Sequence, residues 1–408
     1  MLTREALYGN KYVNIRNNEL MLGSLKVNDL AERFSTPMFV FIKQKVQDNI
    51  RKIASGFEEI FPDSQGFYSV KSNYISEILK IVKEEGFGAE IIDLPELKAL
   101  EKIDFPINSI LLGGPYFSEK LLNYIVKNPP PYLVVYDLDD LSRLESAFLK
   151  AELSIDIIVR FQALSFTGRH GVRYTPENLQ QMHNLFTQFR FIRFAGILSH
   201  SGTQLNSLKE YMDNITYLIQ IANELRDKFG LVTRIFNMGG GFPNADSITK
   251  ESLREILENI KHEFENSNWT SFKLFYEPGR FIVGDAGFCL ARIVKYSSEQ
   301  KTAYLDVGNN YIPKFMKSSL RFYNISKIEE KPNTPVDFYG NIPSDQDILI
   351  KKYNFTPSVA AGDYVLIANV GAYALTFSNR FPYARPYILL LDNNDIKILS
   401  KADETLDF

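Results

Sequence analysis

Leu274-Phe-Tyr-Glu277-Pro-Gly-Arg280-Phe-Ile-Val-Gly-Asp-Ala-Gly287 is an apolar run that stops abruptly at a carboxylate, a proline, a glycine and an arginine. This is the pattern of a buried strand whose C-terminal end opens into a polar turn. Upstream, the run 234–238 ends in Gly239, Gly240 and Gly241. Two consecutive strands ending in glycine-rich turns predict a phosphate cradle, because glycine lets backbone N–H groups crowd around an oxyanion.

Working outward, apolar runs recur at 66–70, 88–92, 109–112, 133–136, 155–159, 195–198, 234–238 and 273–276, with helical patterns between them. The clearest helix is 207–229. Leu208, Met212, Ile215, Ile219, Ala222 and Phe229 share one face, Asn206 or Ser207 can cap its start, and Gly230 can end it. Eight strands alternating with helices predict an α/β fold, a (β/α)8 TIM barrel, with a doubly wound sheet as runner-up. Before the barrel, residues 38–42 read as a strand and 44–60 as a helix, with Val46, Ile50, Ile53 and Phe57 at helical spacing. After Gly287 helical periodicity mostly disappears: 288–296, 302–307, 364–369 and 387–391 are strand-like, and Asp392-Asn-Asn-Asp395 reads as a hairpin turn. The expected organisation is strands within 1–36 joining a β domain, a cofactor-binding barrel at 37–285, and a mostly β domain at 286–408.

At 408 residues the chain is too long for one ordinary core. A net charge of −3 gives no general attraction to nucleic acid or an anionic membrane. Cys289 is the only cysteine, which excludes an intrachain disulfide and a cysteine-based zinc site; between Phe288 and Leu290 it reads as a buried structural thiol. No metal site is expected. The first ten residues lack the apolar core of a signal peptide and no window is long enough to span a bilayer, so the expected location is cytoplasmic.

Barrel enzymes build their sites at the C-terminal ends of the strands, with phosphates often bound after strands seven and eight. Closure places strand one beside strand eight, and strand one ends in Tyr68-Ser-Val-Lys71-Ser-Asn73. Lys71 therefore projects toward the phosphate site, where partial desolvation lets an amine form a Schiff base. An isolated lysine at a strand end reads as a solvated surface charge; the neighbouring phosphate turn reverses that balance. Strand six ends in Leu198-Ser-His200-Ser-Gly-Thr203, which puts His200 at the same face. His170 follows strand five and is a candidate for lining the site, whereas His183 and His262 fall in helical patterns.

These motifs, with Gly371-Ala-Tyr373, occur in one order and cover nearly the whole chain. The sequence resembles the fold-type III pyridoxal-phosphate-dependent decarboxylases, the family of diaminopimelate, ornithine and arginine decarboxylases, and the resemblance implies an alanine racemase-like fold. It implies that Lys71 holds pyridoxal 5'-phosphate covalently and that His200 stacks on the pyridine ring. Thr203, Gly240, Gly241, Gly279, Arg280 and Tyr373 would hold the phosphate or the cofactor's rim. Glu277 would face the pyridine nitrogen. A carboxylate there keeps that nitrogen protonated, so the ring accepts electrons as CO₂ leaves. A racemase of this fold would place a cation instead, so Glu277 favours a decarboxylase. The resemblance also implies a homodimer with shared sites.

One motif departs. The family's Gly-x-x-Cys-Glu/Asp-x-x-Asp reads here Gly340-Asn-Ile-Pro343-Ser344-Asp345-Gln346-Asp347. Pro343 stands at the cysteine that helps protonate the product, Ser344 at the acidic substrate-reading residue, and only Asp347 is kept. Lys314 and Arg321 stand where the lysine-pathway enzymes place an arginine. The expected substrate-facing set is Arg280, Lys314, Arg321, Ser344, Asp347 and Tyr373. The substrate is an α-amino acid with a distal acidic or acylated group, free or bound to a carrier protein, since the Leu320-Arg321 region resembles the branch of siderophore-precursor and carrier-bound aminoacyl decarboxylases. A racemase or epimerase on the same scaffold, and a cofactor-binding regulator without catalysis, stay open.

Overall fold

The computed structural model describes residues 10–164, 168–379, 381 and 383–403. Eight parallel strands close on themselves: Gln65–Ser69, Gly88–Ile91, Ile110–Gly114, Tyr132–Val135, Ile155–Phe161, Ile192–Ser199, Ile235–Asn237 and Lys273–Tyr276. The last pairs with the first, Phe275 opposite Gln65 and Tyr276 opposite Gly66. The fold is the (β/α)8 barrel expected, and all eight apolar runs are strands of it. Inward-facing Phe67, Leu111, Val134, Ile158, Ala195, Leu198, Ile235 and Phe275 fill the interior as a packed core.

The helices follow local rules. Leu208–Phe229 begins at Ser207, whose side chain accepts from the Glu210 amide while the Glu210 carboxylate reaches back to the Ser207 amide, and it ends at Gly230 in the left-handed conformation. The reciprocal cap satisfies two amides the helix leaves unmet, and the glycine adopts the closing turn without a Cβ penalty. Tyr211, Ile215, Leu218, Ile219, Ala222 and Leu225 are buried.

The chain divides into two compact units: one takes the chain through Asp48, Asn244–Asp246 and everything from Arg280 on, the other the remainder. In the first unit a nine-stranded sheet runs Ile348–Phe355, Thr334–Tyr339, Thr302–Leu305, Gly287–Ser297, Met38–Ile42, Tyr387–Asp392 and Asp395–Ser400, with Arg321–Asn324 and Tyr364–Ala368 branching from it. A small sheet of Val13–Arg16, Glu19–Leu22 and Leu25–Lys26 adds Val13, Leu20 and Leu22 to a core with Val40, Leu290, Leu366 and Leu389.

Two features differ from expectation. The expected barrel starts at residue 37, whereas Met38–Ile42 pairs antiparallel with Gly287–Ser297 and parallel with Tyr387–Asp392. Buried along its whole length, Met-Phe-Val-Phe-Ile has the composition of a barrel strand, and only its partners reveal otherwise. Arg321–Asn324, Thr334–Tyr339 and Ile348–Phe355 escape the sequence reading; in the last two, Pro335 and the exposed Lys351 and Lys352 mask the alternation. Among the described residues no helix is long and apolar enough to cross a membrane. The reading of the first residues as lacking a signal peptide falls on 1–9, outside the described residues.

Candidate active site

At the C-terminal end of the first barrel strand the chain makes one tight turn, Val70–Ser72, held by Ser72 Oγ donating to the Ser69 carbonyl at 2.8 Å. The turn presents Lys71, whose Nζ lies 2.5 Å from Oε2 of Glu90 on strand two. Ser69 Oγ donates to the same oxygen at 2.8 Å. Glu90 is buried while the Lys71 side chain is 38% exposed, so the lysine reaches from the mouth down to a fixed anion.

Strands six, seven and eight deliver the second group. Asn237 Nδ2 donates to Glu277 Oε1 at 2.8 Å, and Asn237 Oδ1 accepts from the Gly239 amide at 2.8 Å, so one side chain orients both the carboxylate and the glycine turn. His200 Nδ1 accepts from the Gly240 amide at 3.1 Å. That bond leaves the neutral ring's proton on Nε2. The turn needs its glycines: Gly239 has φ +69°, and a Cβ there would lie 2.9 Å from His200 Nδ1; one at Gly240 would lie 2.6 Å from the Glu277 carbonyl oxygen.

Electrostatics follow from this crowding. Burial, with the charges of Arg160 and Lys71, pushes His200 down to about 3, so the imidazole is neutral at any ordinary pH. Burial and the charge of Glu90 push Glu277 up, opposed by Lys71, the Asn237 hydrogen bond and Arg160. A buried carboxylate placed like this favours a cationic or proton-carrying partner. Burial likewise raises Glu96, in the helix after strand two, to about 7.

In the other unit Arg280, the next residue after Gly279, is buried with its guanidinium 5.4 Å from the centroid of the Tyr373 ring. Its Nη2 donates to the Met316 carbonyl at 2.6 Å, while Nε and Nη1 meet no acceptor among the described residues. A buried guanidinium with two unmet nitrogens is costly, and an anion such as a phosphate matches the deficit. Within the barrel unit the residues present fit a cofactor with a carbonyl for an amine and a ring nitrogen for a carboxylate; within the other unit Arg280 fits an anion.

The other expected residues are dispersed. Thr203 is exposed on the loop after His200, and Lys314 is exposed in the turn Lys314–Met316. Arg321 Nη1 pairs with Asp246 at 3.3 Å, so its charge is already matched. Ser344 is exposed in a tight turn, its carbonyl accepting from the Asp347 amide at 3.0 Å. Asp347 is buried against Gly308 and Gly340, its oxygens accepting from the amides of Asn309 at 2.6 Å and Ile342 at 2.8 Å. Those two bonds pin the loop that carries it. His170 is exposed, edge-on to Tyr136 at 6.0 Å, and Cys289 is fully buried.

Sequence reading misses Glu90, Arg160 and Asn237. Their signal is present: each is a polar residue in a mostly apolar barrel strand. Arg160 lies 4.4 Å from the centroid of the Tyr136 ring.

Comparison with known proteins bears on this geometry. A family described as "Pyridoxal-dependent decarboxylase, pyridoxal binding domain" matches residues 47–284. The diaminopimelate decarboxylase of Aquifex aeolicus is 23% identical over 97% of this chain and 96% of its own length. The L-glutamyl-[BtrI acyl-carrier protein] decarboxylase of Niallia circulans is 20% identical over 88% of each chain. Among solved structures, diaminopimelate decarboxylase from M. jannaschii in complex with L-lysine shares the fold, with a TM-score of 0.86 at 18% identity over 97% of this chain and 96% of that one.

Proposed function

The chain belongs to the pyridoxal-dependent decarboxylases, enzymes that remove the carboxylate of an amino acid with pyridoxal phosphate, and from that premise we propose a role for each site residue. The observation that carries the proposal is the grouping of Lys71 on Glu90, His200 on the Gly240 amide and Glu277 on Asn237 at one end of the barrel. Bound pyridoxal phosphate supplies an electron sink for the pair left behind when CO₂ departs. Lys71 would hold the cofactor covalently through Nζ. His200, neutral, lays its ring against the cofactor. Glu277, oriented by Asn237, keeps a proton on the ring nitrogen. The turn at Gly240 and Gly241, with Thr203 and Gly279, offers amides and space for the phosphate and the cofactor's rim. In the first unit Arg280, with Tyr373, offers unmet N–H groups suited to a phosphate.

The proposed substrate is an α-amino acid whose far end is acidic or acylated. Ser344 stands where an anion would hold a distal ammonium, and a cation buried without a partner is expensive. Likeness to an acyl-carrier-protein decarboxylase supports a carrier-bound form. Diaminopimelate, with its distal carboxylate, fits the same class. The proposed assembly is a homodimer with shared sites, in the cytoplasm, with the barrel as cofactor domain. Incubation of purified protein with ornithine, lysine, diaminopimelate, glutamate and a carrier-bound glutamyl group, followed by CO₂ release, tests it. Turnover confined to ornithine or lysine overturns the substrate assignment.

A further inference from the structure

The cofactor amine spends part of every catalytic cycle detached, when substrate or product occupies its place. At that point Lys71 is an amine in the mouth of a barrel whose walls carry several charges. From strand one's turn it meets Glu90 on strand two at 2.5 Å. Glu96 after strand two, Tyr136 after strand four, His200 after strand six and Glu277 after strand eight each feel the charge of Lys71, and Arg160 on strand five acts on the last three. Arg160 is a cation and His200 is neutral, so neither stabilises an ammonium. Glu96 is held near 7, and Glu277 is given to Asn237 and, in the proposed role, to the ring nitrogen.

Glu90 differs from both. Its Oε2 receives the Ser69 hydroxyl and the Lys71 ammonium together, and it is buried, so its position does not depend on solvent. We propose that Glu90 is the positioning residue that docks Lys71 as a charged ammonium whenever the lysine is detached from the cofactor. Docked and charged, the lysine has no lone pair with which to reclaim the cofactor, so the substrate holds its place. Ser69 contributes by fixing the accepting oxygen, as a donor that does not titrate near neutrality.

The inference rests on Lys71 being the cofactor lysine, and its test separates the two. Full-length protein is stripped of cofactor with hydroxylamine and treated with trace acetic anhydride over a neutral-to-alkaline pH series. Acetylation of the Lys71 peptide is then read by mass spectrometry against the other lysines. An opposite charge at this distance typically raises an amine's midpoint by about one to three units. Glu90→Gln is therefore expected to lower the Lys71 midpoint by about one unit or more, giving roughly tenfold more label at a fixed pH below it. Glu90→Asp, charged but one methylene shorter, is expected to lower it part-way, and carries the test should the Gln variant not fold. Glu96→Gln is expected to leave it nearly unchanged. An unmoved midpoint in the Glu90 variants overturns the inference, as does a shift in Glu96→Gln equal to that in Glu90→Gln. If borohydride reduction of the untreated holoenzyme shows the cofactor on another lysine, the functional reading fails instead.

Discussion

Glu277 and His200 show how one crowded strand end sets two ionisations in different directions. Desolvation disfavours the charged form of each, so the carboxylate rises and the imidazole falls. For Glu277 the consequence is chemical. Glu277→Gln keeps shape and the Asn237 contact but loses the charge that holds a ring proton; it should retain cofactor while slowing decarboxylation on the order of a hundredfold, the scale of a lost charge-stabilising contact. Steady-state CO₂ release beside the bound-cofactor spectrum measures both. For His200 the consequence is a pH-dependent stability. The unfolded chain protonates this histidine near 6.5, the folded chain near 3. Between those values the unfolded state binds more protons, so the contribution is complete above about 6.5 and declines as pH falls toward about 3. Cofactor-free His200→Asn should lose less melting temperature between pH 7.5 and pH 5 than the parent chain; an equal loss would show that His200 is not buried neutral. Lys71, His200 and Glu277 were legible because each closes a strand beside a small or polar turn. Glu90, Arg160 and Asn237 lie within strands, where one polar letter in an apolar run does not reveal which wall it faces.

At the scale of elements, the glycine turn links conformation to chemistry. Only a residue without a Cβ tolerates φ +69° so close to His200. Gly239→Ala should cost about 1–2 kcal/mol in backbone strain and push the imidazole from its bond to the Gly240 amide. The expected result is cofactor affinity reduced about tenfold or more, read by equilibrium titration of stripped protein with pyridoxal phosphate. The long helix Leu208–Phe229 gives a purely structural counterpart. Ser207→Ala removes one half of its capping box and should destabilise the barrel unit by about 1 kcal/mol. A lower urea midpoint with unchanged slope and unchanged turnover is the result that fits. The eight barrel strands and this helix could be read because their periodicity and stop signals agree. The domain boundary drawn at 37 takes in Met38–Ile42, whose partners lie in the other sheet, because an all-apolar strand carries no record of its neighbours. The strands Thr334–Tyr339 and Ile348–Phe355 were hidden by Pro335 and the lysine pair.

For the whole molecule, motif order specified the fold and left the substrate end undetermined. Arg321 and Asp347 looked available to a ligand, yet Arg321 pairs with Asp246 and Asp347 is bound by two backbone amides. Availability is a tertiary property, and a linear sequence does not carry it. Asp347→Asn should therefore lower stability more than it changes substrate preference, since a buried carboxylate accepting amide bonds is replaced by a group with half the acceptors. A melting curve with the kcat/KM ratio for two substrates separates these effects. The proposed shared-site dimer makes its own prediction. Mixing inactive Lys71→Ala with inactive Tyr373→Ala should restore up to about a quarter of the activity once subunits exchange into two-fold dimers. No recovery despite demonstrated exchange places the whole site in one chain. The central claim, that this barrel carries pyridoxal phosphate on Lys71, is tested most directly by borohydride reduction of the purified holoenzyme followed by peptide mass mapping. The predicted result is one reduced pyridoxyl adduct, on the peptide containing Lys71; an adduct on a different lysine, or none after reconstitution with cofactor, contradicts it.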